Sequence, residues 1–125
     1  MSAQLSAEEK RTLVTAAETI LDAASQRDGF KDQTSQLRNM VQIAQEESEV
    51  AVLRNFIRYQ TGRKATQKFW QLIDKGVIDQ LLEIDKRYSE HASRKLAIQS
   101  FFGYMVRHYV YLNEINKRSG KGARP

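Results

Sequence analysis

Arg54, Arg58, Arg63, Lys64 and Lys68 place five positive charges in the segment 54–68, and no acid lies between Glu49 and Asp74. Like charges four residues apart on a helix repel mildly. A polyanion laid across them relieves that repulsion and releases its own counterions. The chemistry on offer is therefore contact with a phosphate backbone, not bond-making. A solvated helix face has the same composition, so the charges alone leave both readings open.

Other chemistry has less to stand on. There is no cysteine, which removes disulfides, thiolate metal sites and a cysteine nucleophile. His91 and His108 do not stand in a metal-ligand spacing, and no phosphate-binding glycine loop, dinucleotide fingerprint or serine elbow occurs. His108 reads as a structural, hydrogen-bonded residue in an aromatic stripe, and His91 as a surface or capping residue. Asp79 and Glu83 are four apart, but Lys75, Lys86 and Arg87 nearby make them ordinary surface partners. The sequence calls for no catalytic group, no metal and no cofactor.

Charge is divided unevenly along the chain. Residues 1–52 carry five Lys/Arg against nine Asp/Glu, and residues 53–125 carry fifteen against six. One side of the molecule is expected to meet something anionic. No apolar run approaches the roughly 18 residues needed to cross a membrane. MSAQLSAEEKR does not read as a secretion signal, so a cytoplasmic protein without membrane contact is expected.

The elements that must position the charges all read as helices. The one proline is Pro125, so nothing inside the chain is barred from helix. Ser6 and Glu9 fit a capping box, ahead of a stripe of Leu13, Ala16, Ala17, Ile20, Leu21 and Ala24 over about 7–25. SQRDGFKD breaks that helix, with Gly29 as a turn residue. A second helix is expected from Thr34 or Ser35, with Leu37, Met40, Val41 and Ala44 inward, ending near the acids at 46–49.

A third helix is predicted from Ser48 to Ile73, and a short fourth after Lys75-Gly76 with Val77, Ile78, Leu81, Leu82 and Ile84. A long fifth, Ser89 to Asn116, has two adjoining apolar stripes that imply burial on two sides. The expected fold is all-α, a single-domain bundle of about five helices over 1–116. A basic, disordered tail is expected over 117–125.

If the third helix is straight, Arg54, Arg58 and Lys68 share an arc of about 80° with Thr61 and Ala65, along a line of about 21 Å. Val52, Phe56, Tyr59 and Trp70 then face the core. Arg63 also points inward unless the helix kinks. Gly62 costs about 1 kcal/mol against alanine in a helix interior. Its return is either close approach of another backbone or helix, or a kink that turns Arg63 outward.

The spelling is more specific than the charge. TSQLRNMVQIAQ (34–45) and NFIRYQTGRK (55–64) resemble the small helical subunit of type III-A CRISPR effector complexes, the Csm complexes. Ser35, Leu37, Arg38 and Asn39 match one motif of that family, and Tyr59, Gln60, Gly62 and Arg63 the other. SFFGYMVRHYVYL (100–112) resembles its long aromatic C-terminal helix.

The resemblance covers residues 34–112 and implies a non-enzymatic bundle stacked beside the filament that holds the guide RNA. Such subunits contact the guide and target RNA backbones while base pairing reads the sequence. They meet other subunits of the complex, and they can self-associate. Arg38 and Arg63 carry over from the motifs; Arg54, Arg58, Lys64 and Lys68 come from the basic stripe. Lys64 stands where the family equally accepts an acid or neutral residue. Two other readings stay open: a helical module that docks an acidic protein, and the equivalent type III-B small subunit.

Overall fold

A computed structural model describes residues 3–122, with side chains over 3–118. Its elements are α1 (Ala7–Ala24), α2 (Thr34–Glu46), α3 (Val50–Gly62), α4 (Gln67–Arg87) and α5 (His91–Gly122). Helix α5, about 48 Å long at 1.5 Å per residue, packs on α1, α2 and, less extensively, α4; α3 lies against α4. The fold is all-α, and among the described residues no helix is long and apolar enough to cross a membrane.

Helix α1 begins as its sequence requires. The Ser6 hydroxyl accepts from the Glu9 N–H at 3.1 Å, and the Glu9 carboxylate accepts from the Ser6 N–H at 2.8 Å. Its inward stripe of Leu13, Ala17, Leu21 and Ala24 is buried. The Tyr88 hydroxyl, just past α4, donates to the same Glu9 carboxylate at 2.5 Å. This ties the two helix ends together.

The α1–α2 loop is held by one face of α5. Phe30 is fully buried against Tyr109, with ring centroids 4.8 Å apart. The Tyr109 hydroxyl donates to the Phe30 carbonyl and accepts from the Gln33 N–H at 2.8 Å. Asn113 accepts from the Asp32 N–H at 3.1 Å, Asn116 donates to the Ser25 carbonyl at 2.7 Å, and Lys117 pairs with Asp32 at 2.8 Å. These hold Asp32 at a φ of +60°, a conformation aspartate tolerates better than most residues. Gly29 sits at φ +96°, in the turn where it was expected. Helix α5 thus runs on to Gly122, past the Asn116 end expected for it and into the basic end read as a tail. Residues 123–125 of that tail lie outside the described residues.

The middle of the chain departs from the sequence reading. The expected helix from Ser48 to Ile73 is two helices, broken over Arg63–Thr66. The expected start after Gly76 does not occur, because α4 runs straight through it. Burial explains both. On a straight helix, the buried Val50, Leu53, Ile57 and Gln60 would face about 150° away from the buried Phe69, Trp70, Ile73, Val77, Leu81 and Ile84. One set would have to face water.

The turn at 63–66 brings both sets onto the core. It is stapled by Thr66, whose hydroxyl donates to the Gln60 carbonyl at 2.7 Å. Gly62 is the last residue of α3, and a Cβ there would meet nothing within 4 Å. Close approach belongs instead to Gly76, where a Cβ would lie 2.9 Å from Ile20 Cγ1 on α1.

Candidate nucleic-acid interface

The break redistributes the basic residues over several elements. Arg54 and Arg58 remain one turn apart on α3, Arg54 half-buried and Arg58 exposed. Arg63 and Lys64 are exposed on the turn, and Lys68 opens α4. The straight line of about 21 Å expected from Arg54 to Lys68 therefore does not exist, because the helix that would carry it ends at Gly62. Lys68 is also already matched: its ammonium lies 2.6 Å from Asp28. That hydrogen bond holds the Asp28 carboxyl below its ordinary value. Arg38, Arg54, Arg58, Arg63 and Lys64 enter no ion pair among the described residues.

The core face expected for α3 is also corrected. Tyr59 is 59% exposed and Val52 48% exposed, while Phe56 is half-buried; of the four residues placed inward, only Trp70 is fully buried. Leu53 and Ile57, with Val50 and Gln60, take the core instead. Tyr59 thereby becomes a surface ring. The Arg63 guanidinium lies 5.9 Å from its centroid, within range of a cation–π contact. The turn has brought Arg63 outward, the second of the two returns expected of Gly62.

The two motif segments lie on consecutive helices. TSQLRN opens α2 and YQTGR closes α3. Trp70, in the first turn of α4, donates its indole N–H to the Gln36 side chain at 3.1 Å, joining the helix that follows one motif to the helix that begins with the other. Arg38, one residue beyond Leu37, is exposed on α2. It lines a wide, shallow groove of about 800 Å³ between α2 and α5, whose α5 wall includes Gly103 and Arg107. Arg107 was not singled out from sequence. Its only signal was a charge four residues after Gly103 in a helix otherwise aromatic there.

The remaining polar clusters do other work. His91 Nδ1 lies 3.2 Å from the Ser48 hydroxyl, a pairing that could suggest a nucleophile and its base. Ser48, however, is buried, and Arg94 donates to its carbonyl at 3.2 Å and pairs with Glu49 at 3.5 Å. These contacts fasten the α2–α3 connection to α5. His108 Nε2 bonds Asp22 at 2.7 Å, and its ring stacks on Tyr111, so it links α5 to α1. Among the described residues no group of three or more His, Asp or Glu could hold a metal ion.

No protein-family model, curated protein or solved structure matches the chain.

Proposed function

We propose that the protein is a non-catalytic, cytoplasmic RNA-binding subunit of an RNA-guided effector complex, of the type III-A CRISPR small-subunit kind. It would contact the guide and target RNA backbones without reading their sequence. The observation that carries this reading is that Arg38, Arg63 and Lys64, from the two motif segments, are exposed and outside any ion pair among the described residues. The exposed Arg63–Tyr59 pair supports it, since base-stacking surfaces combine an accessible ring with a cation. Lys68 stays a candidate contact, though its ammonium must first part from Asp28, an exposed pair of little worth by itself. Sequence discrimination would fall to base pairing between guide and target.

The test is an effector complex rebuilt with Arg54, Arg58, Arg63 and Lys64 all changed to alanine. Target-RNA affinity should fall and its salt dependence flatten, by about 0.7 in log–log slope for each phosphate no longer neutralised, with thermal melting of the subunit unchanged. Wild-type affinity in the rebuilt complex would remove these residues from the interface.

A second reading is favoured by one feature. Tyr111 is 58% exposed and Ile115 37% exposed, one helical turn apart on α5. Such a row suits a protein partner, and a module that docks an acidic protein without RNA would use it as its main contact.

A further inference from the structure

The α2–α5 groove carries an inference about where an RNA strand lies on this surface. Its α2 wall includes Arg38, Asn39 and Gln42, and its α5 wall Gly103, Val106 and Arg107. A second depression, of about 270 Å³, continues along α5 past Gln99, Ser100 and Tyr104, and shares Gly103 and Arg107 with the first. No acidic residue lines either one. The two form one open trough along α5 from Gln99 to Arg107, about 12 Å of helix.

That shape suits a strand better than a small ligand. A compact ligand is held in a cleft that encloses most of its surface, and this trough is wide open along one side. Asn39 and Gln42 offer amide donors suited to phosphate and ribose oxygens, while Gln99 already donates to the Ala44 carbonyl at 3.3 Å. An arginine stands on each wall, and guanidinium forks match phosphate oxygens in pairs. The Arg107 guanidinium lies 5.9 Å from the Tyr104 ring centroid, so the ring helps fix the fork's direction before any ligand arrives. Gly103 leaves the α5 wall bare one turn from Arg107: a Cβ there would meet nothing within 4 Å.

We infer that this trough holds the sugar–phosphate backbone of a single RNA strand, with Arg38 and Arg107 gripping phosphates from opposite walls and Gly103 admitting the backbone between them. The inference rests on the RNA-binding reading above and adds to it Arg107, Gly103 and Tyr104.

The experiment measures binding of a fluorescein-labelled oligouridylate to the full chain by anisotropy, from low to moderate salt. Arg38→Ala and Arg107→Ala should each weaken binding several-fold and lower the log–log salt slope by about 0.7, and the double variant should lower it by about 1.4. Gly103→Leu should weaken binding while leaving the slope near its wild-type value, because it fills the trough from the α5 wall without removing a charge. Gly103→Ala, whose methyl meets open space, should melt no lower than wild type and so reports that the position tolerates a side chain.

Three outcomes overturn the inference. Wild-type binding by all groove variants, with loss on changing Arg54, Arg58, Arg63 and Lys64, places the strand elsewhere and leaves the RNA reading standing. No oligouridylate binding by the wild-type chain at low salt removes the RNA reading and the groove with it. Tighter binding of poly-glutamate, with the same dependence on Arg38 and Arg107, makes the occupant an acidic protein segment.

Discussion

At the scale of single residues, two tyrosines hold the bundle's ends, and their hydroxyls differ in what they expose to test. Tyr109 serves two backbone groups at once, the Phe30 carbonyl and the Gln33 N–H. Tyr109→Phe keeps the ring in the Phe30–Phe69 cluster but strands both groups, and should cost about 1–3 kcal/mol in urea unfolding with an unchanged m-value. Tyr88 is set by burial first and its bond to Glu9 second, which push its phenol up to about 12. In the unfolded chain that proton leaves near 10. The folded state therefore binds more protons between those values, and Tyr88's contribution is full below pH 10 and is lost as pH rises through 12. Glu9 runs the other way: hydrogen bonds from the Ser6 backbone and from Tyr88 lower its carboxyl, so its contribution is present above 4.5 and lost as pH falls below that. The urea midpoint of Tyr88→Phe, followed against pH, should decline less steeply than wild type between pH 10 and 12; parallel curves would remove the linkage.

At the scale of elements, the glycines divide the work that a sequence reading joined together. Gly76 lies where α4 crosses α1, and its missing Cβ makes room for Ile20. Gly76→Ala should lower the melting temperature despite alanine's better helix propensity. Ile20→Ala should offset part of that loss, a non-additivity expected of residues in contact. Gly62→Ala, in open space, should leave stability the same or raise it by up to about 1 kcal/mol. Equal effects at the two sites would contradict the packing described for α4 on α1.

The same elements show what could be read from sequence. The capping box, the α1 stripe and the Gly29 turn were legible because each is a local pattern with a local cause; the span of α2 followed from its apolar stripe, but its N-cap is Gln33, which makes no side-chain cap bond, and not Thr34 or Ser35. The break at Arg63–Thr66 was less so, because no proline marks it and Gly62 alone is compatible with a continuous helix. Its trace is a jump in phase: Leu53 and Ile57 set one face, Phe69 and Ile73 nearly the opposite one, and only a turn reconciles them. Treating Val52, Phe56, Tyr59 and Trp70 as one inward face hid that jump. It also aligned Lys68 with Arg54. The groove wall at Gly103 and Arg107 depends on which helix packs beside α5, a tertiary fact that no spacing within α5 encodes.

At the scale of the molecule, α5 organises the rest. One face clamps the α1–α2 loop through Tyr109, Asn113 and Asn116. Its first turns fasten Ser48 and Glu49 through Arg94. Another stretch walls the trough opposite α2. A rigid spine of this kind can present arginines from α2 and α5, and from the α3–α4 turn, in fixed relation to one another. The proposed contact with an RNA backbone would need such an arrangement. The most direct test is purification of the tagged chain from its native cell, with and without ribonuclease treatment. The account predicts a large assembly containing RNA of guide size, which shrinks or dissociates after treatment. A protein-only complex that ribonuclease leaves unchanged would contradict it.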